Sequence, residues 1–169
     1  MRNTGSAKVT NVVLAGLGGQ GVIKASDILA DAALRAGFDV KKAEVHGMSQ
    51  RGGSVTSDVR FGGRVLSPMV PRGEADFLVV LAPSEVEVTR PLLRPGGVLL
   101  APDLVPEGAL PNKRSLNVAL LGALSGHLDI PAETLLAAIR AALPERLHAV
   151  NERAFELGRT LASQQVKMT

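Results

Sequence analysis

Near the start of the chain, Gly16-Leu17-Gly18-Gly19-Gln20-Gly21 has the residue types and spacing of a turn that could cradle phosphate. Glycines permit a tight reversal and let an anion approach the backbone N–H groups at the start of the next helix, where the helix dipole favours negative charge. Gly16-x-Gly18-x-x-Gly21 is the spacing of a dinucleotide fingerprint. Glu44 stands 23 residues after Gly21, where an acidic side chain would take a ribose hydroxyl. Val22 occupies the position that a Walker phosphate loop gives to lysine, so that loop is excluded. Lys24, one turn further on, reads as a solvated charge. The bland use of the same glycines is a close strand–helix contact with no ligand.

A second candidate segment runs Glu44-Val45-His46-Gly47-Met48-Ser49-Gln50-Arg51-Gly52-Gly53-Ser54. Arg51 offers a rigid positive fork for phosphate or carboxylate, Ser49 and Gln50 add neutral hydrogen bonds, and Gly47 and Gly52 bare their backbone donors. The competing reading is a surface loop with one solvated arginine. His46, His127 and His148 are too scattered for a metal site, and none is expected. The chain has no cysteine, which removes disulfides, thiolate zinc, cysteine-held iron–sulfur clusters and a cysteine nucleophile. No Gly-x-Ser-x-Gly elbow supports a serine hydrolase.

Positioning these segments requires alternating strands and helices. Residues 9–15 form a short β-branched apolar run ending in glycines, as a buried strand does. Val22, Ala25, Leu29, Ala32, Ala33 and Ala36 then recur at helical spacing, and Gly37 follows as a helix stop. Residues 39–45 read as a second strand, and Val55, Val59 and Phe61 mark a third. Gly62-Gly63 offers a hairpin turn from which residues 64–66 would return antiparallel. Residues 77–81 suit a central strand, Pro83 a helix start, and Pro91, Pro95, Gly96 and Gly97 its end, before a strand at 98–101. From Ser115 onward the pattern is helical: a nearly all-apolar stretch from Leu116 to Leu124, then amphipathic stretches at 131–143 and from 145 to about 163. All-round apolarity implies burial on more than one side, which points to a partner subunit or a homodimer. The expected fold is α/β, one Rossmann-like doubly wound domain over residues 1–169, with a mostly parallel sheet, a β-hairpin and a helical C-terminal third.

Composition narrows the function classes. The 169 residues carry 46% hydrophobic and 21% charged side chains, the balance of a well-cored globule. A net charge of +3, with no Trp, no Tyr and four Phe, gives neither the basic footprint nor the stacking surfaces of a nucleic-acid reader. Apolar runs are too short to span a membrane, and Asn11 and the following glycines cut short any leader-like stretch. A cytoplasmic protein is expected, with neither nucleic acid nor membrane as a partner.

The glycine turn taken with residues 44–55 resembles the gamma-type subunits of 2-oxoacid:ferredoxin oxidoreductases, above all the beta subunit of indolepyruvate ferredoxin oxidoreductases. Ser67-Pro68-Met69-Val70-Pro71, Gly73-Glu74-Ala75-Asp76 and the stretches 117–125 and 151–158 extend the likeness over most of the chain. The stretch from Pro102 to Leu116 is shorter than is usual in that family. The resemblance implies a non-cofactor-bearing oxidoreductase subunit, inactive alone, in a complex that oxidatively decarboxylates a 2-oxo acid of the indolepyruvate or pyruvate type. It also implies that a larger partner subunit brings thiamine diphosphate and iron–sulfur clusters, which carry the carbanion and electron chemistry to ferredoxin. This chain would complete the complex and help bind coenzyme A through Gly16, Gly18, Gly19, Gln20 and Gly21, with Glu44, His46, Gly47, Ser49, Gln50, Arg51 and Gly52 around them. No catalytic residue is expected in the chain itself. Two alternatives stand beside this: a small NAD-binding Rossmann module, and a non-catalytic scaffold subunit.

Overall fold

The computed structural model describes residues 8–47 and 52–168. Five strands, β1 (Val9–Leu17), β2 (Asp39–His46), β3 (Ser54–Gly62), β4 (Ala75–Val80) and β5 (Leu93–Leu100), form one open sheet in the order β2-β3-β1-β4-β5. The helices are α1 (Val22–Arg35), the single turn α2 (Val86–Thr89), α3 (Leu116–Ser125), α4 (Ala132–Ala142) and α5 (His148–Val166). The α/β, Rossmann-like expectation holds, with a sheet that is less parallel than expected. β1 pairs parallel with β4, and β4 with β5, whereas β3 runs antiparallel to both β1 and β2. Four strands therefore point one way, and the reversed β3 lies between β2 and β1.

The alternation of side chains across a pleated sheet sorts the apolar residues into two cores. Val12 and Leu14 of β1, with Val59 and Phe61 of β3, face the helical side and pack with Ile28, Leu29, Leu120 and Ile139. Val13 and Ala15, one residue out of phase, meet Leu78 and Val80 on the other side, under Val70, Val86 and Leu92. Thus α1 crosses one face and α2 the other, the double winding that the sequence implies.

Two expected elements are built differently. No strand forms over residues 64–66, because β1 and β2 already occupy both edges of β3 and leave no edge to pair with. The chain instead turns away, and the Val65 N–H donates to the Asp39 carboxylate at 2.7 Å. The hairpin is β2–β3. The second departure is β5, which begins at Leu93 and contains Pro95, Gly96 and Gly97. These residues are tolerable because β5 is an edge strand, where a missing N–H faces solvent, and Gly96 adopts φ 75° beside a register shift in the β4–β5 ladder.

A polar clasp holds residues 67–70 over β3. Asp58 accepts from the Val70 N–H at 2.8 Å, and Arg60 donates to the carbonyls of Ser67 (2.8 Å) and Met69 (3.3 Å) and to the Asn11 side chain (2.9 Å). Burial pushes the Asp58 carboxyl above its ordinary value, and the Val70 N–H and Arg60 only partly offset this.

In the helical third, every residue of α3 from Asn117 to Ser125 is buried. The second cover expected from a partner chain is supplied by α5, which crosses α3 at glycines on both helices. A Cβ on Gly122 would lie 2.0 Å from the Phe155 carbonyl oxygen, and one on Gly158 would lie 1.7 Å from that of Ala119. Among the described residues no helix is long and apolar enough to cross a membrane.

Two measurements test this packing. Gly158→Ala should cost about 2 kcal/mol or more, read as a fall in melting temperature of roughly 5 °C or more, because backbone must move to admit a methyl group. Gly126→Ala, at φ −67° with its nearest neighbour 3.9 Å away, should be neutral or stabilising by about 0.4–1 kcal/mol. Asp58→Asn removes a carboxylate whose ionisation opposes folding. A group whose folded pKa is raised makes the native state less stable as pH climbs from the unfolded value of 3.8 through the folded value. The variant should therefore gain thermal stability relative to the parent as pH rises through that window, and lose this gain below pH 3.8.

Candidate functional site

Adjacent parallel strands whose connections leave to opposite faces open a crevice at their carboxyl ends. Here those strands are β1 and β4, with α1 on one face and α2 on the other, and the glycine turn sits at that crevice. Gly19 and Gly21 adopt φ 89° and 85°, a conformation that side chains bearing a Cβ strongly disfavour. Gly16 admits no Cβ either, since one would approach Gln20 Oε1, Val22 and Leu81 to between 2.8 and 3.1 Å. The turn is pinned by its own glutamine: Gln20 Oε1 accepts from the Leu17 N–H at 2.7 Å, while its amide reaches the Leu81 carbonyl at 3.5 Å. From the other side the Asn117 amide donates to the Gly21 carbonyl at 3.3 Å. The first turn of α1 has neither a side-chain cap nor an acidic residue, so its leading N–H groups stay available to an outside acceptor.

The second candidate segment reaches the same edge. The Gly18 N–H donates to the Gly53 carbonyl at 2.9 Å, and Gly52, at φ 65°, lies against Gly18 closely enough that a Cβ there would meet its nitrogen at 3.4 Å. Gly47 closes the hairpin, donating to the Ser54 carbonyl at 2.7 Å. Ser49, Gln50 and Arg51 lie outside the described residues.

Two clefts flank the turn. One, of about 500 Å³, lies toward α3 and is lined by Gly19, Gln20, Gly21 and Leu81 with Lys24, Lys113, Arg114 and Asn117. The other, of about 400 Å³, lies toward β2 and is lined by Gly18, Gly19, Ile23, Lys24, His46 and Val55. Both volumes fall in the range of small-ligand sites. The larger cleft has three cationic side chains and no carboxylate in its lining. None of the three enters an ion pair among the described residues. Chemically the arrangement is able to take an anion: backbone donors at a helix start, with positive side chains around it.

Glu44 is not brought to this site. Because β3 intervenes, β2 lies two strand spacings, about 10 Å, from β1 instead of one. The carboxylate is engaged by Lys42 at 2.8 Å, with His46 Nε2 at 3.7 Å. The Lys42 hydrogen bond holds Glu44 below its ordinary pKa. Burial works against the Lys42 charge, but Asp27 and Glu44 together raise its pKa. Glu44 lines neither cleft, so the dinucleotide reading loses its ribose acceptor, and Lys42, which meets both Glu44 on its own strand and Asp27 of α1, ties β2 to α1. His46, by contrast, does line the smaller cleft.

Residue spacing alone missed Lys113, Arg114 and Asn117, which are more than ninety positions from the turn and reach it only through the packing of α3. Lys24, read as a solvated charge, borders both clefts. The adjacent basic pair just ahead of an apolar helix was the one available signal.

Comparison with known proteins identifies the family. Residues 11–111 match the family described as pyruvate ferredoxin/flavodoxin oxidoreductase. The indolepyruvate oxidoreductase subunit IorB of Thermococcus kodakarensis is 36% identical over 191 residues, covering 89% of this chain and 95% of its own. That alignment exceeds the 169 residues here, so the relative carries residues that this chain lacks. A solved 2-oxoglutarate:ferredoxin oxidoreductase from Magnetococcus marinus, with 2-oxoglutarate, coenzyme A and succinyl-CoA bound, superposes with a TM-score of 0.80 at 26% identity. The match takes in 94% of this chain but only 32% of that longer one. The gamma subunit of a keto/oxoacid ferredoxin oxidoreductase from Geobacter sulfurreducens shares the fold with a TM-score of 0.77 at 23% identity, over 94% and 98% of the two chains. The chain therefore belongs to the pyruvate ferredoxin/flavodoxin oxidoreductase family, as a subunit of a 2-oxoacid:ferredoxin oxidoreductase.

Proposed function

We propose that this chain is the gamma-type domain, over residues 1–169, that completes a cytoplasmic 2-oxoacid:ferredoxin oxidoreductase and binds the phosphates of coenzyme A at its glycine turn. The observation that carries the reading is the cationic cleft at the β1–β4 crevice, where uncapped helix donors meet Lys24. Coenzyme A brings a diphosphate, an acceptor that such donors and charges suit. The coenzyme A bound in the Magnetococcus marinus structure supports the same ligand class.

On this reading thiamine diphosphate and iron–sulfur clusters, held by a larger partner subunit, supply the carbanion and electron chemistry. The residues of this chain bind and orient. Gly19 and Gly21 present N–H groups to phosphate, Gly18 holds the neighbouring loop through the Gly53 carbonyl, Gln20 and Asn117 fix the turn, and Lys24 adds charge without moving a proton. Arg51, with the neutral Ser49 and Gln50, would add a further contact to the anion. His46, bordering the smaller cleft, lines the shared site. The 2-oxo acid is of the indolepyruvate type, as the name of the Thermococcus kodakarensis relative suggests.

Isothermal titration of the assembled complex with coenzyme A tests the site. Lys24→Ala should raise the dissociation constant about tenfold, the loss of one charge-assisted contact. Arg51→Ala should weaken binding in the same direction, and unchanged affinity in both variants would remove the ligand from this cleft. NAD should not shift the melting temperature of the isolated chain. In a ferredoxin-reduction assay with a 2-oxo acid, coenzyme A and thiamine diphosphate, the isolated chain should show no turnover, and adding the partner subunit should restore it. Turnover by the chain alone would overthrow the division of labour.

A further inference from the structure

A cavity of about 280 Å³ opens at the amino-terminal edge of the sheet, where Thr10 of β1, Phe77 of β4 and Arg94 of β5 lie near the starts of their strands. Thr10 stands seven residues from Leu17 along β1, which puts the cavity roughly 23 Å of extended strand from the glycine turn. The chain holds four phenylalanines, no Trp and no Tyr, and Phe38, Phe61 and Phe77 all line this one cavity. Strand register makes it a slot. Thr10 is opposite Phe61 of β3, while Phe77 of β4 is opposite Val12 on the other flank of β1. A small polar residue therefore floors the gap between two aromatic walls. Phe38 meets Phe61 with ring centroids 5.4 Å apart, and His127 meets Phe77 at 5.6 Å. Charged groups rim the slot: Lys8, Arg94 and Asp129 are exposed, whereas Phe61 is buried and Phe38 and Phe77 are half-buried. Arg94 is held in place by Asp76, whose carboxylate accepts from Arg94 Nε at 2.7 Å and from the Asn11 N–H at 2.8 Å. Asp129 enters no ion pair among the described residues. α3 ends at Ser125, so the negative end of its dipole lies beside this rim.

We propose that this slot binds a zwitterionic aromatic amino acid, with its ring between the Phe38/Phe61 and Phe77/His127 walls, its ammonium at Asp129 and its carboxylate at Arg94 and Lys8. Aromatic walls favour a further ring in offset or edge-to-face contact, and charges of both signs on one rim suit a ligand that carries both. A volume just under the usual range for drug-sized ligands suits a molecule as small as an amino acid. The same chemistry rejects its relatives. A 2-oxo acid has no ammonium for Asp129, an amine has no carboxylate for Arg94, and an amino acid without a ring leaves the walls unfilled. The site lies at the opposite sheet edge from the glycine turn and does not depend on the coenzyme A reading.

Isothermal titration of the full chain with L-phenylalanine tests the slot. One saturable site is expected, with phenylpyruvate, phenethylamine and L-alanine each binding about tenfold or more weakly. Asp129→Asn should weaken L-phenylalanine about tenfold and keep phenylpyruvate within about twofold of the parent. It should also retain the parent's melting temperature, because the side chain is exposed. On titration the amide resonances of Thr10, Phe77 and Asp129 should move, while those of Gly19 and Gly21 stay in place. No saturation by L-phenylalanine, equal affinity for phenylpyruvate, or undiminished binding by Asp129→Asn would overturn the assignment. Resonance shifts confined to the glycine turn would place the amino acid in the other cleft and overturn it as well.

Discussion

Gly21 stands at φ 85° with the Asn117 amide so close that any Cβ would fall 2.5 Å from its nitrogen. This contact joins the two halves of the molecule: α1 and the strands on one side, the helical third on the other. Because the turn is left-handed there, α1 starts abruptly, with its first N–H groups uncapped. Because Asn117 reaches the Gly21 carbonyl, the start of α3 is held against those same groups. The basic residues just before α3 face the helix start as a consequence, although nothing in their local sequence aims them there. Two segments remote in sequence form one cleft through a single hydrogen-bonded approach.

The α3–α5 crossing is what makes that approach available. A helix that is apolar on every side must be enclosed, and α3 achieves this between the sheet and α5, with Gly122 and Gly158 letting backbone meet backbone. A helix packed less closely would leave α3 free to shift along the sheet, and Asn117 with it. Glycines remote from the cleft thereby fix where the start of α3 lies beside Gly21. Stability and the geometry of the cleft are coupled through these positions.

Local patterns were readable where local physics decides the outcome. β1, the glycine turn and α1 follow from an apolar run, a cluster of glycines and a helical stripe, and the all-apolar α3 is evident by inspection. Strand pairing was not readable, because it depends on which edges are free. Gly62-Gly63 is a sound hairpin signal that fails only because β1 claims the edge of β3 that residues 64–66 would have used. Pro95, Gly96 and Gly97 looked like breakers and are instead tolerated at a sheet edge. Glu44 lies at the right distance along the chain for a ribose contact and at the wrong distance across the sheet. Lys113 and Arg114 could not be placed without knowing that α3 packs beside Gly21.

The reversed strand explains why a dinucleotide fingerprint here does not carry the usual ligand geometry. In a fully parallel sheet the neighbour of β1 on the helix side ends where a ribose would lie, and its terminal side chain faces the nucleotide. In this fold that neighbour is β3, which begins at this edge. What borders the turn is therefore a loop with glycines at Gly47, Gly52 and Gly53 in place of a strand-end carboxylate. A site bounded by glycine backbone and cations, with its one candidate acid engaged by Lys42, favours phosphate over ribose hydroxyls. The same local motif thus meets different neighbours from those of a fully parallel sheet, and the strand order decides which.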